Sequence, residues 1–349
     1  MNKTDYFYMQ RALFLAQKGR FSVSPNPRVG AVIVHDNKII GEGYHRQYGE
    51  AHAEVNAINC VKDKTLLKKA SIYVTLEPCS HYGNTPPCAD LILQHNIPRV
   101  VIANKDPFEK VNGSGIERLS AKGVEVISGV LKEEAAKINR RFFTFHQKKR
   151  PYIILKWAET ADGFIGRSSD DPNKADSWIT SAASKQLVHL WRAEEDGILV
   201  GKNTALIDNP TLSTREVVGK NPSRILIDRN LEVANDFKIL NDEATTFIFN
   251  AIKNEKKQLL NYFKIDFSSN EKVLVDILSE LHHQNIQSII VEGGSETLQS
   301  FIDLKLWDEA RVFSAEKKFY KGIKAPDFRG NKISTISIQK DVLSIYHPS

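Results

Sequence analysis

His52 and Glu54 stand two residues apart, and Cys79 and Cys88 follow in one later segment. One imidazole and two thiolates are what a tetrahedral catalytic Zn²⁺ takes from a protein, with the fourth position left to water. The ion lowers the pKa of that water from near 16 to roughly 7, which makes hydroxide available at neutral pH. Glu54 falls on the first turn of the helix that carries His52. From there its carboxyl reaches the same cavity without ligating the metal, and it can pass the water's proton to a leaving amine. A closed structural site would need a fourth ligand; His81 is the candidate, but such a site has no use for Glu54. Three cysteines in 349 residues make no disulfide framework. Cys60 has no ligand spacing and is expected to be a buried small hydrophobe.

His-x-Glu followed by Pro-Cys and a second cysteine is the signature of zinc nucleobase deaminases. Here eight residues, rather than two, separate Cys79 from Cys88. The elements around these residues must position them. Thr4 or Asp5 is expected to cap a helix through Ala16 that stops at Gly19. Ser24-Pro25-Asn26-Pro27-Arg28 is a rigid turn that can bring the Asn26 amide to a pyrimidine edge. Residues 31–34 and 39–45 form a hairpin around Asp36-Asn37, and its second strand leads through His45 to His52. A helix is predicted over about 51–61, a buried strand over 72–76, and a helix opened by Cys88 behind Pro86-Pro87. Strands at 99–103 and 124–127 then alternate with helices near 115–121 and 132–145, the pattern of a sheet covered by helices.

Residues 1 to about 147 resemble the deaminase half of the RibD family of bifunctional riboflavin-biosynthesis enzymes. Pro25-Asn26-Pro27-Arg28-Val29-Gly30, His52-Ala53-Glu54, and Thr75 to His81 with Gly83 to Cys88 carry the likeness. The long gap between the cysteines is that family's form of the motif. The resemblance implies a cytidine-deaminase-like three-layer α/β domain over 1–147, one zinc per chain, Glu54 as the catalytic acid–base, and Asn26, His45 and His81 in the substrate pocket.

The basic run Gln147 to Pro151 reads as a solvated linker. Beyond it, strands are expected at 152–158, 197–201, 224–228 and 287–291. Ser181 or Ser184 is placed as the cap of a helix through Trp191, and Asp208-Asn209-Pro210 as a turn. Gly293-Gly294 joins the last of these strands to a helix. Glycines there let a phosphate approach the helix N-terminus, although the stretch is no Gly-x-Gly-x-x-Gly fingerprint.

From Tyr152 to about Gly322 the chain resembles the reductase half of the same family. Leu155-Lys156-x-Ala158, Asp162-Gly163, Trp178 to Ser181, Arg192-Ala193, Asp196 to Gly201, Asp208-Asn209-Pro210-x-Leu212, Arg215 and Val291 to Gly294 carry it. The implied fold for 148–349 is dihydrofolate-reductase-like, with NADPH facing Ala158, Trp178, Thr204, Asp208, Gly293 and Gly294. Lys156, Arg192, Leu212, Arg215 and Glu292 are implied to face a ribityl-phosphate substrate. Arginine suits that phosphate because its guanidinium fork binds oxygens in pairs. Thr160-Ala161 stands where the family usually has Ser-Leu, and the usual proline near Ala315-Glu316-Lys317 is missing.

The implied reactions are zinc-hydroxide deamination of 2,5-diamino-6-(5-phosphoribosylamino)pyrimidin-4-one and NADPH reduction of 5-amino-6-(5-phosphoribosylamino)uracil to the ribitylamino phosphate. The alternative is a nucleic-acid or nucleoside deaminase with a nucleic-acid-binding second domain. Its weakness is that Arg192 and Arg215 sit beside a strand–Gly-Gly–helix unit rather than in a basic stripe. Length favours two domains, and a hydrophobic content of 41% with 26% charged residues is ordinary for globular proteins. A net charge of +6 suits phosphorylated small molecules. No segment is apolar for long enough to span a bilayer, and Met1 to Asp5 lacks a signal-peptide core. The expectation is a cytoplasmic homo-oligomer that engages neither membrane nor nucleic acid.

Overall fold

The computed structural model describes residues 3–82, 86–109, 111–168, 171–173 and 176–349. Gly83, Asn84 and Thr85 of the inter-cysteine motif lie outside the described residues. The chain divides into two compact units, Met1–Lys148 and Lys149–Ser349.

The first unit runs α1 (Lys3–Ala16), β1 (Gly30–His35), β2 (Lys38–Tyr44), α2 (Ala53–Cys60), β3 (Ser71–Leu76), α3 (Cys88–Gln94), β4 (Arg99–Asn104), α4 (Ser114–Ser120), β5 (Glu125–Ser128), α5 (Lys132–Ile138) and α6 (Arg140–Lys148). Its sheet has the order β2-β1-β3-β4-β5. The strands β1, β2 and β3 pair antiparallel, while β3, β4 and β5 are parallel. Strand side chains alternate between faces, and the apolar ones divide accordingly. Ile33, Ile72, Val74, Val100 and Ile102 pack with Ala57 and Ile58 of α2 and Ile92 of α3. Val32, Tyr73 and Val101 pack with Met9 and Leu13 of α1 and Ala135 of α5. Both faces are therefore covered, and burying each large aliphatic contributes roughly 1.5–3 kcal/mol.

Three departures from expectation have identifiable causes. Asp5 does not cap α1; its buried carboxylate accepts from Arg99, at 3.0 and 3.1 Å, and from the Tyr73 hydroxyl, at 2.8 Å. The helix expected over 132–145 breaks at Asn139 into α5 and α6. The Asn139 side chain accepts the Arg28 N–H at 2.8 Å and donates to the Arg28 carbonyl at 2.9 Å. The break thus serves the turn that carries Asn26. Cys60 is exposed rather than buried, because it falls at the last, outward position of the short α2.

The second unit runs β6 (Tyr152–Thr160), β7 (Phe164–Gly166), α7 (Ala182–Glu194), β8 (Gly197–Gly201), α8 (Lys202–Asp208), β9 (Ser223–Ile227), β10 (Thr246–Asn250), β11 (Glu255–Lys257), β12 (Leu260–Lys264), α9 (Asn270–His283), β13 (Ser288–Val291), α10 (Ser295–Asp303), β14 (Glu309–Ala315), β15 (Ile323–Lys324), β16 (Asn331–Ile338) and β17 (Asp341–His347). The main sheet has the order β11-β12-β10-β9-β8-β13-β6-β14-β17-β16. Its centre, from β12 to β14, is parallel. Ile153, Leu155, Ile289 and Val291 pack with Leu274 and Ile277 of α9 and Phe301 of α10. Ile154 and Ile290 pack with Val188 and Trp191 of α7. Ser181 is the cap of α7, accepting the Ser184 N–H at 3.3 Å. The boundary between the two units falls inside the basic run, between Lys148 and Lys149, where Gln147, Lys148 and Lys149 are exposed; α6 nevertheless continues through Lys148, and Arg150 is held rather than solvated, forking onto Asp308 at 2.6 and 2.9 Å.

Candidate active sites

His52 is the residue that opens α2, and Cys88 is the first residue of α3. Cys79 follows the end of β3 and is held there by Ala89 N–H, which donates to the Cys79 carbonyl at 3.1 Å. Three separate elements so bring their side chains together. His52 Nδ1 lies 3.3 Å from Cys88 Sγ and 3.6 Å from Cys79 Sγ. Among the described residues this trio is the group of three with metal-ligating atoms that meet, all within 4.8 Å of one another. Close approach of α2 to β2 depends on Gly43, where a Cβ would stand 2.3 Å from the Ala57 nitrogen. Any larger residue would push α2, and His52 with it, off the sheet.

The donor set fits zinc. One imidazole nitrogen and two thiolates match its borderline softness, and three protein ligands leave one position open. The trio is already polarised. Hydrogen bonding with Cys88 holds the Cys79 thiol down to about 4, with His52 aiding against burial. Hydrogen bonding with Cys79 raises His52 to about 9, against burial. Cys88 is pushed up, first by its hydrogen bond with Cys79 and then by burial.

Glu54 is 3% exposed on the first turn of α2. Burial raises its carboxyl to about 7, with His52 opposing and Cys79 assisting. An acid poised near neutrality can both take and give a proton at working pH. Asn26 and His45 meet: Asn26 Nδ2 donates to His45 Nε2 at 3.0 Å, while His45 Nδ1 donates to the Ala51 carbonyl at 3.1 Å. The second bond fixes the tautomer. The His45 ring stands edge-on to His52, with centroids 5.6 Å apart. Among the described residues the buried Nδ1 of His81 has no hydrogen-bond partner, and its ring lies 5.9 Å from Phe108.

Sequence reasoning missed Glu77. Its buried carboxylate accepts four backbone N–H groups, from Asp106, Gly113, Gly115 and Ile116, at 3.0–3.2 Å. This clasp ties the segment before Cys79 to the start of α4. Glu77 sits next to the Pro-Cys motif, yet nothing in its spacing signals four partners some 30 to 40 residues away. Asp106 was missed too; burial, then Glu77, raises its carboxyl to about 7.

The second unit gathers its polar groups at the carboxyl ends of parallel strands, where open α/β sheets bind ligands. Glu292, just beyond β13, receives Arg192 of α7 through two bonds of 2.8 and 3.1 Å. Lys156 of β6 lies 3.7 Å from the same carboxylate. Burial alone would raise Glu292, but Arg192 and Lys156 overcome it and hold the acid at about 2. Arg192 also donates to the Ser213 carbonyl at 3.2 Å. Leu212 beside it is buried and takes a positive φ of 55°. Arg215 is exposed, with no hydrogen bond or ion pair found for it among the described residues.

Gly294 adopts φ of 64° at the start of α10, and a Cβ there would stand 3.3 Å from Thr204 Oγ1. A Cβ on Gly293 would meet Val200 at 2.7 Å. The loop is thus kept free of side chains beside Thr204, with open N–H groups at the helix start, which fits a dinucleotide phosphate. Trp178 is 59% exposed, and Asp208 closes α8. Ala158 lies on β6 opposite Phe313. At the altered position, the Thr160 hydroxyl donates to Asp162 at 2.6 Å and accepts the Phe164 N–H at 3.0 Å.

The model for the cytidine and deoxycytidylate deaminase zinc-binding region matches residues 2–104, and that for the RibD C-terminal domain matches 151–318. The riboflavin biosynthesis protein RibD of Aquifex aeolicus is 41% identical over 330 residues, covering 94% of this chain and 91% of its own. The chain belongs to the RibD family. The RibD of Escherichia coli K12 is 36% identical, over 90% of this chain and 88% of its own. A Thermotoga maritima structure described as a diaminohydroxyphosphoribosylaminopyrimidine deaminase/5-amino-6-(5-phosphoribosylamino)uracil reductase superposes with a TM-score of 0.88. It is 35% identical, with 99% of both chains covered. This RibD-family chain is therefore a two-activity enzyme of riboflavin biosynthesis, deaminase and reductase, with zinc and NADPH as cofactors. Its fold is a cytidine-deaminase-like three-layer unit followed by a dihydrofolate-reductase-like unit. No helix among the described residues is long and apolar enough to cross a membrane.

Proposed function

We propose that the first unit deaminates 2,5-diamino-6-(5-phosphoribosylamino)pyrimidin-4-one and that the second reduces the resulting aminouracil to its ribitylamino phosphate. The observation that carries the reading is the meeting of His52, Cys79 and Cys88 beside a buried glutamate. His52 Nδ1 and the two sulfurs would hold zinc, whose chemistry is to make water nucleophilic at neutral pH. Glu54 accepts a proton from that water and delivers it to the departing amine. Asn26, oriented by His45, presents its amide to the pyrimidine edge, and His81 offers its unpaired nitrogen to the substrate's polar rim. Asn26 and His45 are held by hydrogen bonds before substrate arrives, so little reorganisation opposes their part in binding.

In the second unit, Gly293, Gly294, Thr204, Asp208, Trp178 and Ala158 are assigned to NADPH, which supplies the hydride. Lys156, Arg192, Leu212, Arg215 and Glu292 are assigned to the ribosyl phosphate. Glu292 keeps Arg192 and Lys156 fixed, and Arg215 is left to bind phosphate oxygens. The deaminase assignment covers residues 1–147 and the reductase 148–349. The proposal extends to a homo-oligomer that works in the cytoplasm without nucleic acid. Free cysteines and a charge of only +6 support the last two points. The exposed Ile333 and Ile336 on the edge strand β16 support the first.

A coupled assay tests the reading. Given the diaminopyrimidine alone, the purified chain should release ammonia and accumulate the aminouracil; adding NADPH should consume both NADPH and aminouracil. NADPH oxidation without prior ammonia release would overturn the order of the two steps.

A further inference from the structure

Of the four tryptophans, Trp157, Trp191 and Trp307 are 4–6% exposed, whereas Trp178 is 59% exposed. A single exposed indole needs no explanation by itself. What distinguishes Trp178 is how firmly its segment is held. Lys317, two residues beyond β14, places all three donors of its ammonium there. They go to the Asp176 carbonyl at 2.9 Å, the Asp176 carboxylate at 2.6 Å and the Trp178 carbonyl at 2.9 Å. At the other end of the segment, the Asp341 carboxylate accepts the Ser181 N–H and the Ser181 hydroxyl, both at 2.7 Å.

Lys317 is itself anchored. Its carbonyl accepts the Ala161 N–H at 2.9 Å, and Asp162 accepts the N–H groups of Phe319 and Tyr320 at 3.2 and 2.7 Å. Thr160 and Ala315 pair where the parallel strands β6 and β14 end. Lys317 therefore ties residues 176–178 to the carboxyl edge of the sheet, the edge where open α/β sheets bind ligands. The plain reading is a surface ion pair with Asp176, and such pairs contribute little. Two of the three bonds, however, go to main-chain carbonyls, so the ammonium fixes the path of the backbone as well as balancing a charge. Lys185 adds a second restraint. Its ammonium lies 5.6 Å from the centre of the Trp178 ring and is tied to Glu216 at 2.7 Å.

We propose that Lys317 is a positioning residue for the cofactor, holding the Trp178 segment in its binding conformation before NADPH arrives. The inference rests on the reading of Trp178 as a residue that faces NADPH. Without the clamp, the stretch around Trp178 is ordered only on binding, and affinity falls by the cost of that ordering. The loss belongs to cofactor binding and not to hydride transfer in the filled site.

The test titrates the full, zinc-loaded chain with NADPH, followed by the cofactor's own fluorescence, alongside reductase kinetics. Lys317→Met keeps an unbranched stem at a half-buried position and removes the three donors. It should weaken NADPH binding by about 3- to 10-fold, the range set by ordering one side chain on binding. In the kinetics the change should appear in KM for NADPH rather than in kcat. Lys317→Arg, which can still donate to the two carbonyls, should recover most of the affinity. Trp178→Ala should also weaken NADPH binding, and adding Lys317→Met to it should cause no further loss, because the lysine acts through the indole. An equal loss from Lys317→Met in both backgrounds, or no loss from it while Trp178→Ala binds weakly, would overturn the role of Lys317 alone. Undiminished NADPH binding by Trp178→Ala would overturn the reading of Trp178, and the role of Lys317 with it.

Discussion

Two glutamates, one in each unit, are withdrawn from water in similar degree and behave in opposite ways. Glu54 has no arginine or lysine among the causes of its shift, and burial lifts it to about 7. Glu292 is enclosed by Arg192 and Lys156, which hold it at about 2. The first is poised to exchange a proton, and the second is fixed as a permanent anion that organises cations. Two carboxyl groups of one chemical type are thus assigned different work by their neighbours alone. The difference also explains how each unit is built. The first needs a few residues close in sequence around a metal, while the second needs charges collected from β6, α7 and the end of β13.

The largest effect that could break this contrast comes from the metal ligands. Cys79→Ser should lose zinc and essentially all deamination, and leave reduction of the aminouracil at the wild-type rate. Metal analysis that found one zinc per chain in this variant would remove Cys79 from the site.

A smaller effect sharpens the other half. The folded pKa of Glu292 is depressed from 4.5 to about 2, so its contribution to stability is fully present above about pH 4.5 and is lost as pH falls through about 2. The shift corresponds to something on the order of 3 kcal/mol. Urea unfolding should therefore show a large gap between wild type and Glu292→Gln at pH 6 that closes by pH 2. A gap independent of pH would mean that the glutamate is not ionised in the folded protein.

Arg215→Ala should raise KM for the phosphorylated reductase substrate by the equivalent of about 1.5–3 kcal/mol, the scale of a hydrogen bond between charged partners. NADPH affinity should be preserved. Equal weakening of both ligands would place Arg215 under the cofactor instead.

The legible part of each site follows the same division. His52, Glu54, Cys79 and Cys88 could be read directly, because zinc chemistry fixes both residue type and spacing. The choice of Nδ1 over Nε2 on His52 could not, since it depends on how α2 meets α3. Nor could the break at Asn139, whose cause is Arg28, 111 residues away. Arg150 looked solvated because its partner, Asp308, is even more distant in sequence. The helix Asn270–His283 was legible in principle, with Val273, Leu274, Ile277, Leu278 and Leu281 at helical spacing. The strands β14, β16 and β17 were less so, because β16 is an edge strand whose residues are mostly exposed and carry little alternation.

The central claim is that the buried acid of the first unit moves protons and that the two sites work separately. Glu54→Gln tests it most directly, with zinc content and both activities measured on one preparation. The account predicts one zinc per chain, deamination reduced by about 10²–10⁴-fold, and reduction of the aminouracil unchanged. Deamination near the wild-type rate, or parallel loss of both activities in a zinc-loaded, folded variant, would contradict it.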